Sequence, residues 1–174
     1  MNIFYLHKSP FTSARAMTNK HVIKMILESA QLMCTAHHEL DGLNAPQDIY
    51  KPTHKNHPSA MWTRSSLDNY MWLYMHFIAL SKEYTQRYNK THATFDKLNG
   101  VLSTPPQNIK DTGFTQPPQA MPDVYKDVDS VQAYRRYYMN EKIKNDDDLK
   151  RFVKVLWHKE IWKWKVYQKN IKTW

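Results

Sequence analysis

The sequence predicts a mainly α-helical fold, a single-domain bundle of long helices that spans residues 1–174. Apolar residues recur with a period near 3.6 over long stretches, which is typical of helices that bury one face. The chain has three glycines, Gly42, Gly100 and Gly113. Because tight β-hairpin turns often need glycine, we expect few hairpins. A chain of 174 residues is long enough to bury one sizeable core, so we expect one domain.

The first long helix is expected to begin at Thr12 or Ser13, either of which can cap it, and to run to about His38. The apolar segment 3–6 that precedes it fits either a strand or a simple anchor. Apolar and small side chains repeat along one face of the helix and predict that this face packs inward; they are Val22, Ile26, Ser29 and Met33. Cys34 is expected in the core beside them.

The same helix carries a polar stripe of His21, Lys24 and Glu28, which Gln31 continues. At 3.6 residues per turn, the spacing i, i+3, i+7 places these side chains on one face. In a cleft, a histidine, an amine and a carboxylate in line would form a proton-handling or cation-stabilising site. On a solvated surface they would form an ordinary polar face, and the spacing alone leaves both interpretations open.

Further helices are predicted after a loop at 39–58, which contains Gly42 and several prolines. Ser59 can cap a second long helix that extends to about Lys90. A short helix then spans 93–102. These elements, together with the first helix, would supply most of the core.

The rest of the chain contains a proline-rich segment and two more helices. Segment 103–122 holds five prolines, which exclude a helix, so we expect an ordered loop that wraps the surface. A helix is predicted over 128–143. Three aspartates at 146–148 suit the start of a last helix, because acidic side chains stabilise helix N-termini. The body of that helix, 149–174, interleaves basic residues with tryptophan.

The chain is strongly basic and aromatic, with a formal charge of +9, six Trp and eleven Tyr. Cations neutralise phosphates and rings stack on unpaired bases, so this composition favours a nucleic-acid partner. The candidate contacts are His57 in the loop, Arg64 in the second helix, Arg135 and Arg136 in the Tyr-Arg-Arg-Tyr-Tyr cluster at 134–138, and the tail lysines Lys159, Lys163 and Lys165. In the alternative arrangement the tyrosines belong to the core and the arginines are solvated.

Several classes of site lack their motifs in this sequence. It has no glycine-rich phosphate loop, no paired cysteines for zinc and no glycine-flanked serine of the hydrolase type. His54 and His57 lie three residues apart without an acid or cysteine at a familiar spacing, so we predict neither a metal nor a cofactor. No stretch approaches the roughly 18 apolar residues of a membrane span. Together with a single cysteine, this predicts a cytoplasmic protein with no membrane partner.

The motif Asn19-x-His21-Val22, followed by Glu28 seven residues after the histidine, resembles the first-helix motif of the phage pyrimidine-dimer DNA glycosylases, the endonuclease V type. The stretch Leu80-x-x-Glu83-x-x-x-Arg87 is also similar to that family, and we expect its glutamate and arginine to pair on the surface. The turn Asn56-His57-Pro58 resembles bacterial relatives. The likeness covers roughly residues 4–90 and, loosely, the basic aromatic tail.

The resemblance implies a DNA glycosylase, with or without AP-lyase activity, that flips a damaged or modified pyrimidine out of double-stranded DNA. It implies that Glu28 stabilises a cationic sugar and that His21 positions the backbone or Glu28. Lys24 would supply the charge of a basic residue that the family places beside its glutamate. The family's nucleophile is an N-terminal α-amine, which here would come from Met1, or from Asn2 if Met1 is removed. Because Asn2 has a large side chain, we expect Met1 to be retained.

Two other functions remain compatible with the sequence. One is a helical protein that coats or bends nucleic acid without chemistry, for which binding would weaken steeply with salt. The other is a DNA base-modifying transferase, which would need a small-molecule co-substrate. The nucleic-acid-binding protein would form no product, which distinguishes it from a glycosylase. The transferase would be recognised by a bound acyl or nucleotide donor.

Overall fold

The computed structural model describes residues 1–157, and within that range the chain forms helices and no β-strand. The predicted mainly α fold is therefore confirmed. In chain order the helices are α1 (Pro10–Ala16), α2 (Asn19–Asp41), α3 (Pro58–Ser65), α4 (Leu67–Tyr88), α5 (Ala93–Leu102), α6 (Ser130–Glu141) and α7 (Asp146–Trp157). Short 3₁₀ turns at Gly42–Asn44 and Asp123–Tyr125 lie in the connections. Over residues 1–157, none of the helices has the length and apolar character that crossing a bilayer requires.

The first predicted helix is in fact two helices, α1 and α2, and the prediction of Thr12 or Ser13 as its cap is wrong. Ser9 caps α1, and its Oγ accepts a hydrogen bond from the backbone N–H of Thr12. The chain is extended at the next junction, where the Thr18 side chain caps α2 by accepting from the N–H of His21 at 3.3 Å. A side-chain acceptor at an N-cap satisfies an amide that would otherwise lack a partner, so α2 starts afresh at this point.

The second predicted helix is also broken, at Ser66, which has extended backbone angles between α3 and α4. The amide of Leu67 donates to the carbonyl of Lys110 at 2.8 Å. The proline-rich segment thus provides the acceptor that the preceding helical turn would provide in a continuous helix. His57, and not Ser59, is the N-cap of α3. The short helix predicted over 93–102 is confirmed as α5, and the helix predicted over 128–143 is the shorter α6.

Helix α2 lies at the centre of the bundle and packs against α3, α4 and α5. The predicted inward face is confirmed, because the residues on it are at most 1% exposed; they are Val22, Ile26, Ser29 and Met33. Cys34 is fully buried among them, as expected. Each aliphatic side chain buried on this face contributes about 1.5–3 kcal/mol. Burial of one face leaves the polar stripe on the other side of a rigid helix.

The proline-rich segment packs along the helices through hydrogen bonds with their side chains. The carboxylate of Asp41, at the end of α2, accepts the backbone amides of Gln107 and Asn108 at 3.0 Å each. Farther along, the Asn69 side chain accepts from the amide of Thr115 at 2.9 Å. The segment lacks a hydrogen-bond ladder of its own, so these side chains on α2 and α4 supply the partners that its backbone needs.

Replacing Asp41 with alanine should destabilise the protein by about 1–3 kcal/mol, because two backbone amides would lose their acceptor. Urea unfolding followed by circular dichroism measures this loss. Asp48→Ala is the matched control, since Asp48 is exposed. Equal effects of the two substitutions would show that Asp41 does not hold the segment.

Stability should fall with pH in the acid range because of His76, whose ring is fully buried on α4. Burial lowers the pKa of His76 from 6.5 to about 4, although the carbonyl of Pro10 accepts a hydrogen bond from Nδ1. Between these two values the unfolded chain binds a proton that the folded chain does not, so the free energy of unfolding decreases as pH falls. One histidine contributes a slope of up to about 1.4 kcal/mol per pH unit.

Urea unfolding at a series of pH values from 7 to 4 tests this expectation. The His76→Gln variant should show a flatter decline than the native sequence, whereas His54→Gln, at an exposed position, should not. A decline that is unchanged in His76→Gln would assign the acid sensitivity to other groups.

Candidate active site

The N-terminal segment lies against the polar face of α2 and brings Asn2 next to Glu28. The backbone N–H of Asn2 donates to Oε2 of Glu28 at 3.1 Å. The other carboxylate oxygen, Oε1, is 3.1 Å from Nζ of Lys24. The Glu28 side chain is only 12% exposed, so both contacts form in a partly desolvated setting. The carboxylate thus joins the N-terminal segment to the stripe predicted on α2.

The side chain of Asn2 fixes the turn at the start of the chain. Its Oδ1 accepts from the amides of Ile3 at 2.8 Å and Phe4 at 3.1 Å. Its Nδ2 donates to the carbonyl of Ala120 at 2.9 Å, at the end of the proline-rich segment. Because these three hydrogen bonds hold the Asn2 side chain, the backbone nitrogen of Asn2 has a defined position relative to Glu28.

Phe4 anchors the N-terminal segment and adopts a left-handed backbone conformation, with φ of 53°. This conformation costs a residue with a Cβ about 1 kcal/mol or more. The buried ring offsets that cost through aromatic contacts, with centroid distances of 4.7 Å to His21 and 5.1 Å to Tyr138. Tyr134 and Tyr137 of α6 lie farther out, both at 6.4 Å.

His21 occupies the N-terminal turn of α2 and is partly buried. Its Nδ1 lies 2.7 Å from the hydroxyl of Tyr138. The pKa of His21 is lowered to about 4, mainly by burial and then by the positive charges of Lys142 and Lys24, whereas Glu28 opposes the shift. The imidazole is consequently neutral at physiological pH.

His57 lies close to the same group of residues, at the start of α3. Burial lowers its pKa, the charge of the N-terminal amine and that of His54 lower it further, and Glu28 raises it. Its Nδ1 accepts the amide of Ser59 at 3.1 Å, which leaves Nε2 to carry the hydrogen of a neutral ring. His57 can thus present a hydrogen-bond donor near the N-terminus.

An open groove of about 840 Å³ adjoins the N-terminal segment. Ala120, whose carbonyl binds Asn2, and Pro58, which follows His57, both line it. Pro117, Pro118 and the exposed Val128 add apolar surface. Polar side chains, among them Lys126 and Asp127, complete the lining, and the bond from Asn2 to Ala120 places the groove next to the first residues of the chain.

The sequence model of the pyrimidine dimer DNA glycosylase family matches residues 1–96, more than half of the chain. The chain belongs to this family. The resemblance inferred from the first-helix motif is therefore confirmed, and the protein is a DNA-repair glycosylase whose substrate is DNA. Comparison with curated proteins and with solved structures finds no match.

The glycosylase brings its predicted catalytic residues together. Asn2, Lys24 and Glu28 are in direct contact, and the Glu28 charge acts on His21. Met1 is partly buried and packs against the hydrophobic core. Catalytic roles for these residues remain predictions: Glu28 is partly buried against the N-terminal segment, whereas the Lys24 side chain is 61% exposed.

The arginines predicted to bind nucleic acid are engaged within the glycosylase. Arg64 donates to the carbonyl of Lys55 at 2.7 Å. Arg135 donates through Nε to the carbonyl of Leu6 at 2.9 Å, and Arg136 pairs with Asp127 at 2.6 Å. Contacts of these residues with DNA stay predictions. Lys159, Lys163 and Lys165, with the tail tryptophans beyond residue 157, lie outside the described residues.

The histidines weighed as metal ligands have other partners. Nδ1 of His54 is 2.6 Å from the Thr53 hydroxyl, and Nδ1 of His57 caps α3. Across residues 1–157, no group of three His, Cys, Asp or Glu side chains has the arrangement needed to hold a metal ion.

The Glu83–Arg87 pair is not the simple surface pair that the spacing predicts. The two side chains are 15% and 11% exposed, with Nη2 and Oε2 at 2.8 Å. Arg87 also donates to the carbonyl of Met17 and to the side chain of Asn19. It thereby ties the end of α4 to the junction between α1 and α2, close to His21.

Three contacts at the site were missed from the sequence, those of Phe4, Ala120 and Tyr138. Ala120 and Tyr138 lie more than 100 residues from their partners Asn2 and His21. Only the tyrosine cluster at 134–138 gave a signal, and it fitted a core role and a stacking role equally well.

With both proteins released from a cleavable fusion so that each begins at residue 2, Asn2→Ala should reduce glycosylase kcat/KM by about tenfold or more, because residue 2 would lose the side-chain bonds that hold its nitrogen beside Glu28. The expected loss in unfolding free energy is about 1–2 kcal/mol. Base release from damaged duplex DNA and urea unfolding give the two numbers. Asn44→Ala, on the exposed 3₁₀ turn, serves as control. An Asn2→Ala enzyme with full activity would contradict the prediction.

Proposed function

We propose that this glycosylase removes a damaged or modified pyrimidine from double-stranded DNA with the α-amine of residue 2 as nucleophile, and then cleaves the strand by elimination. One observation carries the proposal, namely the 3.1 Å hydrogen bond from the backbone nitrogen of Asn2 to Glu28. Removal of Met1 would convert that amide nitrogen into a primary amine beside the carboxylate. The proposal thus requires Met1 to be removed, against the expectation from the size of Asn2, because the amine of a retained Met1 would lie one residue before this contact.

The nucleophilic step needs a neutral amine. An α-amine has an ordinary pKa near 8, so a useful fraction is neutral at physiological pH. Its lone pair attacks C1′ of the sugar, the bond from C1′ to the base nitrogen breaks, and the base leaves with those electrons and takes up a proton. Loss of a proton from nitrogen and opening of the C1′–O4′ bond then give an imine between residue 2 and the sugar.

Glu28 would act at each stage of this sequence. As a hydrogen-bond acceptor it orients the nitrogen, and its negative charge stabilises the positive charge that develops on the sugar. It can take a proton from nitrogen and return it to O4′ as the ring opens. Lys24 holds the second oxygen of the carboxylate, which limits rotation of the Glu28 side chain.

Strand cleavage would follow from the imine. The imine acidifies the hydrogens on C2′, a carboxylate within reach removes one of them, and the electrons expel the 3′-phosphate. Hydrolysis of the imine then releases the amine of residue 2. Because Glu28 accepts a hydrogen bond from this nitrogen, we also assign it the removal of the C2′ hydrogen.

Access to C1′ requires the duplex to be bent and a nucleotide to leave the stack. The groove beside Asn2, lined by Pro58, Pro117 and Pro118, would receive the extrahelical nucleotide against its apolar surface. His57 would donate through Nε2 to a phosphate. Arg64, Arg135 and Arg136 would add positive charge along the backbone, together with the tail lysines.

Two versions of the protein test the proposed nucleophile. One begins at Met1, and the other is released from a cleavable fusion so that it begins at Asn2. Each is incubated with a duplex that carries a thymine dimer or an abasic site, and borohydride then reduces any imine. We expect a covalent adduct at the amine of Asn2 in the second version and little in the first. Equal trapping at Met1 would instead make Met1 the nucleophile, and trapping at a lysine would overturn the α-amine proposal.

Glu28→Gln should lower base release by about 10²–10⁴-fold, the usual range for a group that transfers protons. DNA binding should persist, because the amide is close in shape to the carboxylate. Glu39→Gln on the same helix, at an exposed position, is the matched control and should keep full activity. Loss of DNA binding along with turnover, or loss of neither, would contradict the role given to Glu28.

A further inference from the structure

We propose that Tyr138 is a positioning residue for His21: its phenol donates a hydrogen bond to Nδ1 and so fixes the hydrogen of the neutral imidazole on Nε2. Tyr138 is on α6, outside the residues 1–96 that match the family. The functional consequence rests on the proposed base excision and on the part in it that the family resemblance implies for His21, which is to position the DNA backbone or Glu28. The tautomer itself can be measured without that role.

The hydrogen bonds around the phenol favour Nδ1 of His21 as the acceptor of its hydrogen. The Tyr138 oxygen accepts from the backbone N–H of Thr18 at 2.9 Å, which leaves its own hydrogen for one acceptor. Two candidates lie near it: Nδ1 of His21 at 2.7 Å and Oγ1 of Thr18 at 3.3 Å. The shorter contact has the length of a strong O–H hydrogen bond, whereas Oγ1 already accepts from the N–H of His21.

The surroundings of Tyr138 hold the phenol in this position. The side chain is fully buried. The ring of Phe152 stacks on it at 5.7 Å with an interplanar angle of 12°, and Phe4 meets it edge-on at 5.1 Å. A phenol packed between two rings has little freedom to turn away from His21. Burial also raises the pKa of Tyr138, so the hydroxyl keeps its hydrogen at physiological pH.

The consequence for chemistry concerns which nitrogen of His21 is available. With Nδ1 engaged by Tyr138, Nε2–H is the ring's only remaining polar group, and the partly exposed side chain can present it to substrate. A neutral ring with a fixed hydrogen gives a directional donor to a phosphate or to the leaving base. A ring that exchanged tautomers would present a donor for only part of the time.

Tyr138→Phe tests the proposal, with Tyr134→Phe as the matched control. Tyr134 is one turn earlier on α6, is also fully buried, and donates its phenol hydrogen to the carbonyl of Pro118 at 2.6 Å. Both substitutions remove one buried phenol, but only Tyr138 contacts His21. Two-bond ¹H–¹⁵N correlation spectra of the full chain report the tautomer, and His21→Gln identifies the signals of His21.

We expect the Nε2–H pattern for His21 in the native sequence and in Tyr134→Phe, and a mixture of tautomers in Tyr138→Phe. The same variant should lower kcat on damaged duplex DNA by about tenfold, the effect of one lost hydrogen bond, with KM little changed. Tyr134→Phe should leave the His21 signals in place.

A native His21 with hydrogen on Nδ1, or an unchanged His21 pattern in Tyr138→Phe, would overturn the proposal; the first result needs no variant to fold. A His21 shift of the same size in Tyr134→Phe would also overturn it, since the effect would then be one of packing alone. If His21→Gln retains full activity, His21 has no role in excision. The tautomer measurement still tests the hydrogen bond from Tyr138 independently of activity.

Discussion

The docking of the N-terminal segment onto α2 is the constraint on which the site depends. The segment has no secondary structure of its own, so tertiary contacts must hold it. Residues 3–6 are at most 5% exposed, and the hydroxyl of Ser13 donates to the carbonyl of Phe4 while accepting the amide of Leu6. Arg135 binds the carbonyl of Leu6 from α6. Burial and these bonds fix the end of the chain closely enough to place one backbone nitrogen against Glu28.

Elements from the second half of the chain complete the start of α2. The amide of Thr18 donates to the Tyr138 hydroxyl, and the amide of Asn19 donates to Asp148 of α7 at 3.1 Å. The first amides of a helix have no internal acceptor, so side chains from α6 and α7 provide partners that α2 cannot supply itself. His21 lies within the same turn. The family-matched part of the chain therefore carries the polar stripe, whereas residues beyond it hold the turn that contains His21.

The sequence predicted the features that follow from periodicity, namely the buried face of α2 and the polar stripe with His21 and Glu28. It did not predict the helix breaks at Thr18 and Ser66, because each depends on partners far along the chain. The amide of Leu67 donates to the carbonyl of Lys110, and no local sequence pattern predicts that bond. The contacts of Phe4 were not predicted for the same reason. An aromatic residue with a left-handed backbone conformation is stable only where the surrounding structure holds it, here through other rings.

The polar stripe gives its two principal groups opposite hydrogen-bonding roles. Glu28 meets donors on both oxygens, the N–H of Asn2 and the ammonium of Lys24, which suits an ionised acceptor. His21 is seven residues earlier, where burial and neighbouring lysines keep the ring neutral. A neutral imidazole attracts phosphate through one directional bond and not through charge, so long-range attraction for DNA must come from the arginines and lysines. This separation would let the site hold a negative charge beside the proposed nucleophile while basic residues elsewhere attract a polyanion.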